Sequence, residues 1–242
     1  MDFTLFLNSR GRVSQLKKCI SAVENMTLKH SEIEFVITAD DDDVETVMFL
    51  KTLKDRGTFE FKTIVGPRIK NLHKSINNMA LQAKGRYLFV LNDDSEVITK
   101  DWDKIFLEKI REYKQQRGIK DDIIYAATRD NSVDKVVGKG YASFPIVSSE
   151  AVKALGFFMY DEFVGLGGDS SIFRVYEGAG RVVDMSKIEL DHVYHSNIFN
   201  IMSPDLTAYE MRVNSSEHPV DPFNIDVSNE VRKLREAIEA KQ

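Results

Sequence analysis

Gly85-Arg86-Tyr87-Leu88-Phe89-Val90-Leu91-Asn92-Asp93-Asp94 is the stretch on which the reading of this chain turns. A glycine opens a short apolar run of Tyr, Leu, Phe and Val, the pattern of a buried strand. The run stops at an amide and two carboxylates. In an open α/β sheet, ligands sit beyond the carboxyl ends of parallel strands, so acids at that point face a binding crevice. Two adjacent acids can hold a hard divalent cation that shares its ligands with substrate phosphates. Asn and Asp also favour plain turns, so this stretch by itself leaves a solvated loop and a metal site both open.

The residues before it repeat one arrangement. Phe3 to Leu7 is an apolar run, Asn8-Ser9-Arg10-Gly11-Arg12 a polar loop, and Val13, Leu16, Ile20 and Val23 recur at helical spacing. Ile33 to Thr38 is the next strand, broken by Ala39-Asp40-Asp41-Asp42-Asp43, and Val44, Val47, Met48 and Phe49 start a second helix. Phe59 to Val65 makes a third strand, and Ile69, Leu72, Ile76, Met79, Ala80 and Ala83 a third helical stripe. After the opening stretch, Trp102, Ile105, Phe106 and Ile110 share a helix face. Strands alternating with helices predict an open, mostly parallel sheet with helices on both faces. Two of its strands end in acids, at Asp40 to Asp43 and at Asn92 to Asp94. If those strands are neighbours, the acids line one crevice.

Bulk properties narrow the class. The 242 residues suit one large domain with an elaborated end, and 43% hydrophobic residues suffice for a core. A net charge of −5 with no basic block argues against nucleic-acid binding. The single cysteine, Cys19, excludes an internal disulfide and fits a reducing compartment. The N-terminus lacks the features of a signal peptide, and no apolar run reaches the ~20 residues of a membrane span. The expectation is a cytoplasmic protein with no transmembrane segment. Neither the Gly-x-Gly-x-x-Gly fingerprint nor the Gly-Lys-[Ser/Thr] phosphate loop follows the first strand, which weighs against a dehydrogenase and a P-loop NTPase.

In the second half, Asp121 to Thr128 reads as a strand. Tyr141 to Val147 reads as another, placed at an edge or bulge by Pro145. Ser148 to Gly156 reads as a short capped helix closed by glycine. Gly165-Leu166-Gly167-Gly168-Asp169 then leads into a short helix ending at Gly178. Asp169 is either that helix's N-cap or a carboxylate placed to take a proton from a hydroxyl. Arg181 to Met185 looks like a late strand, followed by Asp191-His192-Val193-Tyr194-His195. Ser228 to Lys241 is an amphipathic helix with Val231, Leu234, Ala237 and Ile238 on one face. It could cover the core, lie over the site or mediate a homodimer.

The polar loop Asn8 to Arg12, the run Asp40 to Thr46, and Asn77-Asn78-Met79-Ala80-Leu81-Gln82-Ala83-Lys84-Gly85-Arg86-Tyr87 leading into the acids resemble family 2 glycosyltransferases of the GT-A fold. The resemblance implies a nucleotide-diphosphate sugar donor, with a UDP-sugar expected, and a divalent metal, Mn²⁺ or Mg²⁺. The acceptor is left open among a glycan, a lipid-linked sugar and a protein. By the same resemblance Asp40 contacts the base, Asp93 the ribose and Asp94 the metal. Asn8, Arg10, Arg12, Asn77 and Asn92 complete the donor side. Asp169 stands where such enzymes carry the catalytic base, and inversion is implied. His192, with His195 as second choice, joins Asp94 on the metal. Residues 1–203 form the expected catalytic domain, with 1–100 the nucleotide half and 101–203 the acceptor half, and 204–242 an extension. Two positions depart from the pattern: Asn92 replaces the first acid of the triplet, and Gly168 the first acid of the pair before the helix. They keep open a sugar-nucleotide- or glycan-binding module with a decayed site. A nucleotidyltransferase is the other alternative, weakened by the single glycine in the loop after the first strand.

Overall fold

A computed structural model of the chain describes residues 1–53, 56–131, 142–163, 168–192 and 225–241. In chain order the elements are β1 (Phe3–Ser9), α1 (Val13–Met26), β2 (Ile33–Asp40), α2 (Val44–Leu53), β3 (Glu60–Gly66), α3 (Leu72–Ala80) and β4 (Tyr87–Val90). They continue with β5 (Ser95–Val97), α4 (Trp102–Arg117), β6 (Tyr125–Asp130), β7 (Pro145–Ser148), α5 (Ser149–Leu155), α6 (Gly168–Gly178), β8 (Val182–His192) and α7 (Ser228–Glu239). The strands form one eight-stranded sheet in the order β3-β2-β1-β4-β7-β6-β8-β5. Strands β3, β2, β1 and β4 are parallel neighbours, and β6 runs parallel to β8. Antiparallel pairs join β4 to β7, β7 to β6, and β8 to β5.

Alternation along the strands builds two cores. Phe3, Leu5, Leu7, Phe35 and Phe89 face α1, α2 and α4, where Leu16, Ile20, Leu50, Trp102 and Phe106 are buried. Phe6, Val36, Leu88 and Val90 face the other way, toward Ile76 and Met79 of α3, Ile172 of α6, and Leu234 and Ile238 of α7. Helices therefore cover both faces. Of the three roles open to the C-terminal helix, α7 is seen covering the second core.

The first glycine of the opening stretch has a steric duty. A Cβ at Gly85 would lie 2.4 Å from the backbone nitrogen of Thr4. Only a residue without a side chain lets the chain enter β4 so close to β1. Gly85 N–H donates to Thr4 Oγ1 at 2.8 Å, and Thr4 Oγ1 donates to the buried Glu34 at 2.7 Å, tying β4, β1 and β2 at their starts.

Three expectations need correction. Pro145 does not mark an edge: β7 lies inside the sheet, between β4 and β6. Proline is tolerated there because it is the first residue of the strand, before the ladder needs its missing N–H. In α2 the buried residues are Thr46, Leu50 and Leu53, while Val44 and Met48 face solvent at 65% and 63% exposure. The late strand is also longer than expected, running eleven residues to His192, because β5 pairs with its far end.

Candidate functional site

Strand ends bring the acids together. β1 and β2 pair in register from Phe3↔Ile33 to Ser9↔Ala39, and β1 pairs with β4 on its other side. The polar residues after β1 therefore stand between the acids after β2 and those after β4. Arg10 binds the first group and Arg12 the second. Arg10 Nη1 donates to Asp40 Oδ2 at 2.8 Å, and its guanidinium also pairs with Asp42. Gly11, in the left-handed region at φ 63°, donates its N–H to Asp43 Oδ2 at 2.7 Å. Asp42 is held below the usual carboxylate range by its hydrogen bonds to Arg10.

Arg12 spans both acids after β4. Its Nη2 lies 2.6 Å from Asp93 Oδ1, and its Nη1 donates to Asp94 Oδ2 at 3.2 Å. Burial pushes the Asp93 carboxyl up to about 7, with the Arg12 charge pulling the other way. For Asp94 burial acts in the same upward direction, but His192 and Arg12 outweigh it and its pKa falls below the ordinary value.

His192 reaches this corner through a three-residue strand. In the β5–β8 pair Ser95 stands opposite His192, so Asp94, one residue before β5, lies beside the imidazole. Nε2 is 3.3 Å from Asp94 Oδ1, and Nδ1 is 3.4 Å from Asp130 Oδ2, at the end of β6. Burial would lower the imidazole's pKa, yet the two carboxylates raise it to about 9. Asp130 was not among the expected site residues. Within Arg129-Asp130-Asn131 it reads as a turn, and only the β6–β8 pairing carries it to His192.

The donor set suits a divalent cation of the Mn²⁺ type, which takes both carboxylate and imidazole. Asp93 Oδ1 and Asp94 Oδ1 are buried without a well-aligned hydrogen bond among the described residues, although Arg12 and His192 lie close to them. Asp94 and His192 are the side chains here that could hold a cation jointly. No group of three or more His, Cys, Asp or Glu is spaced to bind a metal among the described residues. Such an ion would take its other ligands from water or from a bound phosphate, as Mg²⁺ commonly does. His195 lies outside the described residues.

The other expected residues divide. Asn8 points toward α3: its Oδ1 accepts from Thr38 Oγ1 and Ser75 Oγ, each at 2.5 Å. Asn92 closes the turn after β4 through its backbone, with Ser95 N–H donating to its carbonyl at 3.0 Å. Asn77 is not gathered with the donor-side residues. Its Oδ1 accepts from Phe158 N–H and Met159 N–H, each at 2.9 Å, and its Nδ2 donates to Met159 O at 2.8 Å. Its side-chain amide thus braces the backbone at residues 158 and 159.

Asp169 lies in the first turn of α6 and accepts from Ser170 N–H at 2.8 Å. Burial raises its pKa, with that hydrogen bond opposing. A carboxylate so placed is a better proton acceptor than Asp94 or Asp42, whose pKa values are lowered by their cationic partners. Beside it, on α3, sits His73, which no spacing in the sequence marked out.

The model of the family described as "Glycosyl transferase family 2" matches residues 6–133. No curated protein matches the chain by sequence. Among solved structures, Staphylococcus aureus TarS superposes with a TM-score of 0.60 at 12% identity, covering 87% of this chain and 42% of that one. A mannosyltransferase from Pyrobaculum calidifontis, crystallised with GDP-Man and Mn²⁺, gives 0.64 at 8%, covering 97% of this chain and 69% of that one. GalNAc-T7, crystallised with UDP, GalNAc and Mn²⁺, gives 0.63 at 13%, covering 100% of this chain and 54% of that one. The chain thus spans less than half the length of the TarS chain. These likenesses show the GT-A fold. No helix among the described residues is long and apolar enough to cross a membrane.

Proposed function

Because the chain belongs to glycosyl transferase family 2, its family model matching more than half of the residues, we propose that it moves a sugar from a nucleotide-diphosphate donor to an acceptor hydroxyl. The donor is proposed to be a UDP-sugar, the transfer metal-dependent and inverting. The observation that carries this reading is the meeting of Asp94 with His192 at 3.3 Å beside the Arg12–Asp93 pair. Strand pairing alone would not require an acid, an imidazole and a guanidinium at one buried corner.

Asp40 and Asp93 are assigned to the nucleoside, as acceptors for base and ribose groups. Asp94 and His192 would hold a divalent cation; ligation needs the neutral imidazole, so an ion there takes the place of a proton. Bound in that position, Mn²⁺ or Mg²⁺ supplies Lewis-acid neutralisation of charge on the diphosphate. Arg12 and Arg10, released from their acids, can turn toward phosphate oxygens. Asp169 is assigned to accept the proton of the acceptor hydroxyl. The new bond forms between that oxygen and the anomeric carbon while the bond to the diphosphate oxygen breaks, from opposite faces of the sugar.

Isothermal titration with UDP-glucose, UDP-GlcNAc and GDP-mannose, with and without Mn²⁺, tests the donor side. Asp94→Ala should weaken Mn²⁺-dependent binding about tenfold or more. Asp169→Asn should leave binding within a few fold and abolish transfer. No metal-dependent binding to any of these donors would sink the donor-site reading. Near wild-type turnover in Asp169→Asn would remove Asp169 as the base.

A further inference from the structure

Position 168 has no side chain, and the space it leaves is taken. A Cβ built at Gly168 would lie 2.5 Å from His73 Nε2, 2.6 Å from its Cε1 and 2.9 Å from its Cδ2. Real Cβ atoms do not approach other atoms so closely, so the imidazole edge is seated directly on the glycine. His73 is 4% exposed, near the start of α3. Its Nδ1 lies 2.8 Å from the carbonyl oxygen of Phe163. A carbonyl only accepts, so Nδ1 carries the proton and, in the neutral ring, Nε2 keeps its lone pair. Burial lowers the imidazole's pKa, against the pull of Phe163 and Asp169, which favours that neutral form. The Nε2 edge is turned to the first turn of α6, which carries Asp169 one residue beyond the contact.

The rest of α3 serves the same segment. Asn71 caps the helix, its Oδ1 accepting from Lys74 N–H at 3.0 Å, and its Nδ2 donates to Asp161 O at 2.7 Å. With Asn77 on Phe158 and Met159, three side chains of this region fasten backbone between residues 158 and 163. Of the three, His73 alone also presses on α6.

We propose that His73 is a positioning residue for Asp169: locked in one tautomer by Phe163 and seated on Gly168, its imidazole fixes the first turn of α6 and with it the direction of the Asp169 carboxylate. The inference rests on Asp169 being the base. A base must lie within hydrogen-bond reach of the proton it removes, and small misplacements of a reacting group cost rate steeply.

The test reads the carboxylate itself. Full-length chain labelled with ¹³C at aspartate carboxyl carbons gives an Asp169 resonance, identified by its loss in Asp169→Asn. His73→Asn keeps a donor for Phe163 but withdraws the ring edge from Gly168, whereas His73→Gln restores a polar atom near the place of Nε2. The Asp169 resonance and its titration midpoint should move in His73→Asn and return toward wild type in His73→Gln. An unmoved resonance in His73→Asn, with only a lower melting temperature, makes His73 structural and overturns the proposal. Failure of His73→Gln to restore it overturns the proposal as well. Should His73→Asn not fold, Gly168→Ala presses on the same contact from the other side. It must shift the Asp169 resonance in the wild-type background and shift it less when combined with His73→Ala; any other result overturns the proposal. None of these readouts uses turnover, so they stand apart from the transfer assay that tests Asp169 as the base.

Discussion

Asp94, after β4, and Asp169, in the first turn of α6, are carboxylates held in opposite ways. On the donor side five acids meet a cation: Asp40 and Asp42 meet Arg10, Asp93 and Asp94 meet Arg12, and Asp94 and Asp130 meet His192, while Asp43 accepts from Gly11 N–H. On the base side, Asp169 has a backbone N–H and a buried imidazole for company. The segment ahead of it is pinned by neutral hydrogen bonds from α3. Pairing keeps Asp94 charged and available to a cation, while burial leaves Asp169 inclined to take a proton. Such a separation of pKa values is how one site divides acid and base work between like residues.

Removing the shared cation should break the donor side most. Arg12→Ala leaves the fully buried Asp93 and its neighbour Asp94 without their guanidinium. Stripping one partner from a buried pair costs about 3 kcal/mol or more, and Arg12 is partly exposed, so the lower figure applies. Urea denaturation near neutral pH measures it. Arg12→Lys should recover only part, since a point charge cannot fork across two carboxylates. A loss under about 0.5 kcal/mol, the range of ordinary surface changes, would show that the acids are stabilised by something other than pairing.

A smaller loss is expected where the base side is braced. Asn77→Ala strands Phe158 N–H, Met159 N–H and Met159 O, for about 2 kcal/mol once water reaches part of the segment. Binding of a UDP-sugar, followed by titration, should be unchanged. If binding fell while stability held, Asn77 would return to the donor site where the family resemblance had put it.

Asn77 also shows how far the sequence reaches. The frame was legible because periodicity is local: alternate residues of β1 and the Leu16–Ile20–Val23 stripe announce which faces are buried. The acids after β2 and β4 were legible because a polar run ending an apolar one marks a strand's carboxyl end. What escaped depends on pairings distant in sequence. β5 is three residues long, too short for any period, so its pairing with β8 left no local mark, and only the family resemblance joined His192 to Asp94. Asp130 joins through β6 and β8, whose partners are some sixty residues apart. His73 and Asn77 sit on a stripe whose apolar members fixed the helix, and their contacts, about ninety and eighty residues away, carry no local mark. Gly168 read only as a missing acid, and the ring packed against it left no mark in the sequence.

The finest test sets the two carboxylates against each other by pH. Asp169 has its folded-state pKa raised by burial. Between the ordinary carboxylate value of about 4 and that raised value, the native state holds a proton that the unfolded chain has released, so stability falls as pH rises through the window. Above it the deficit is complete. Asn cannot ionise and still offers an oxygen to Ser170 N–H, so Asp169→Asn should melt a few degrees above wild type at neutral pH and beyond. The gain should vanish below the ordinary carboxylate range. Asp94 has its pKa lowered, chiefly by His192 against the effect of burial, so its contribution is present above the ordinary value and lost as pH falls. Asp94→Asn should therefore melt below wild type at neutral pH, with the gap closing on acidification. Melting curves of both variants across that range decide the matter. If Asp169→Asn melts lower than wild type at neutral pH, the base-side carboxylate is stabilised in its charged form, and the contrast between the two sides is wrong.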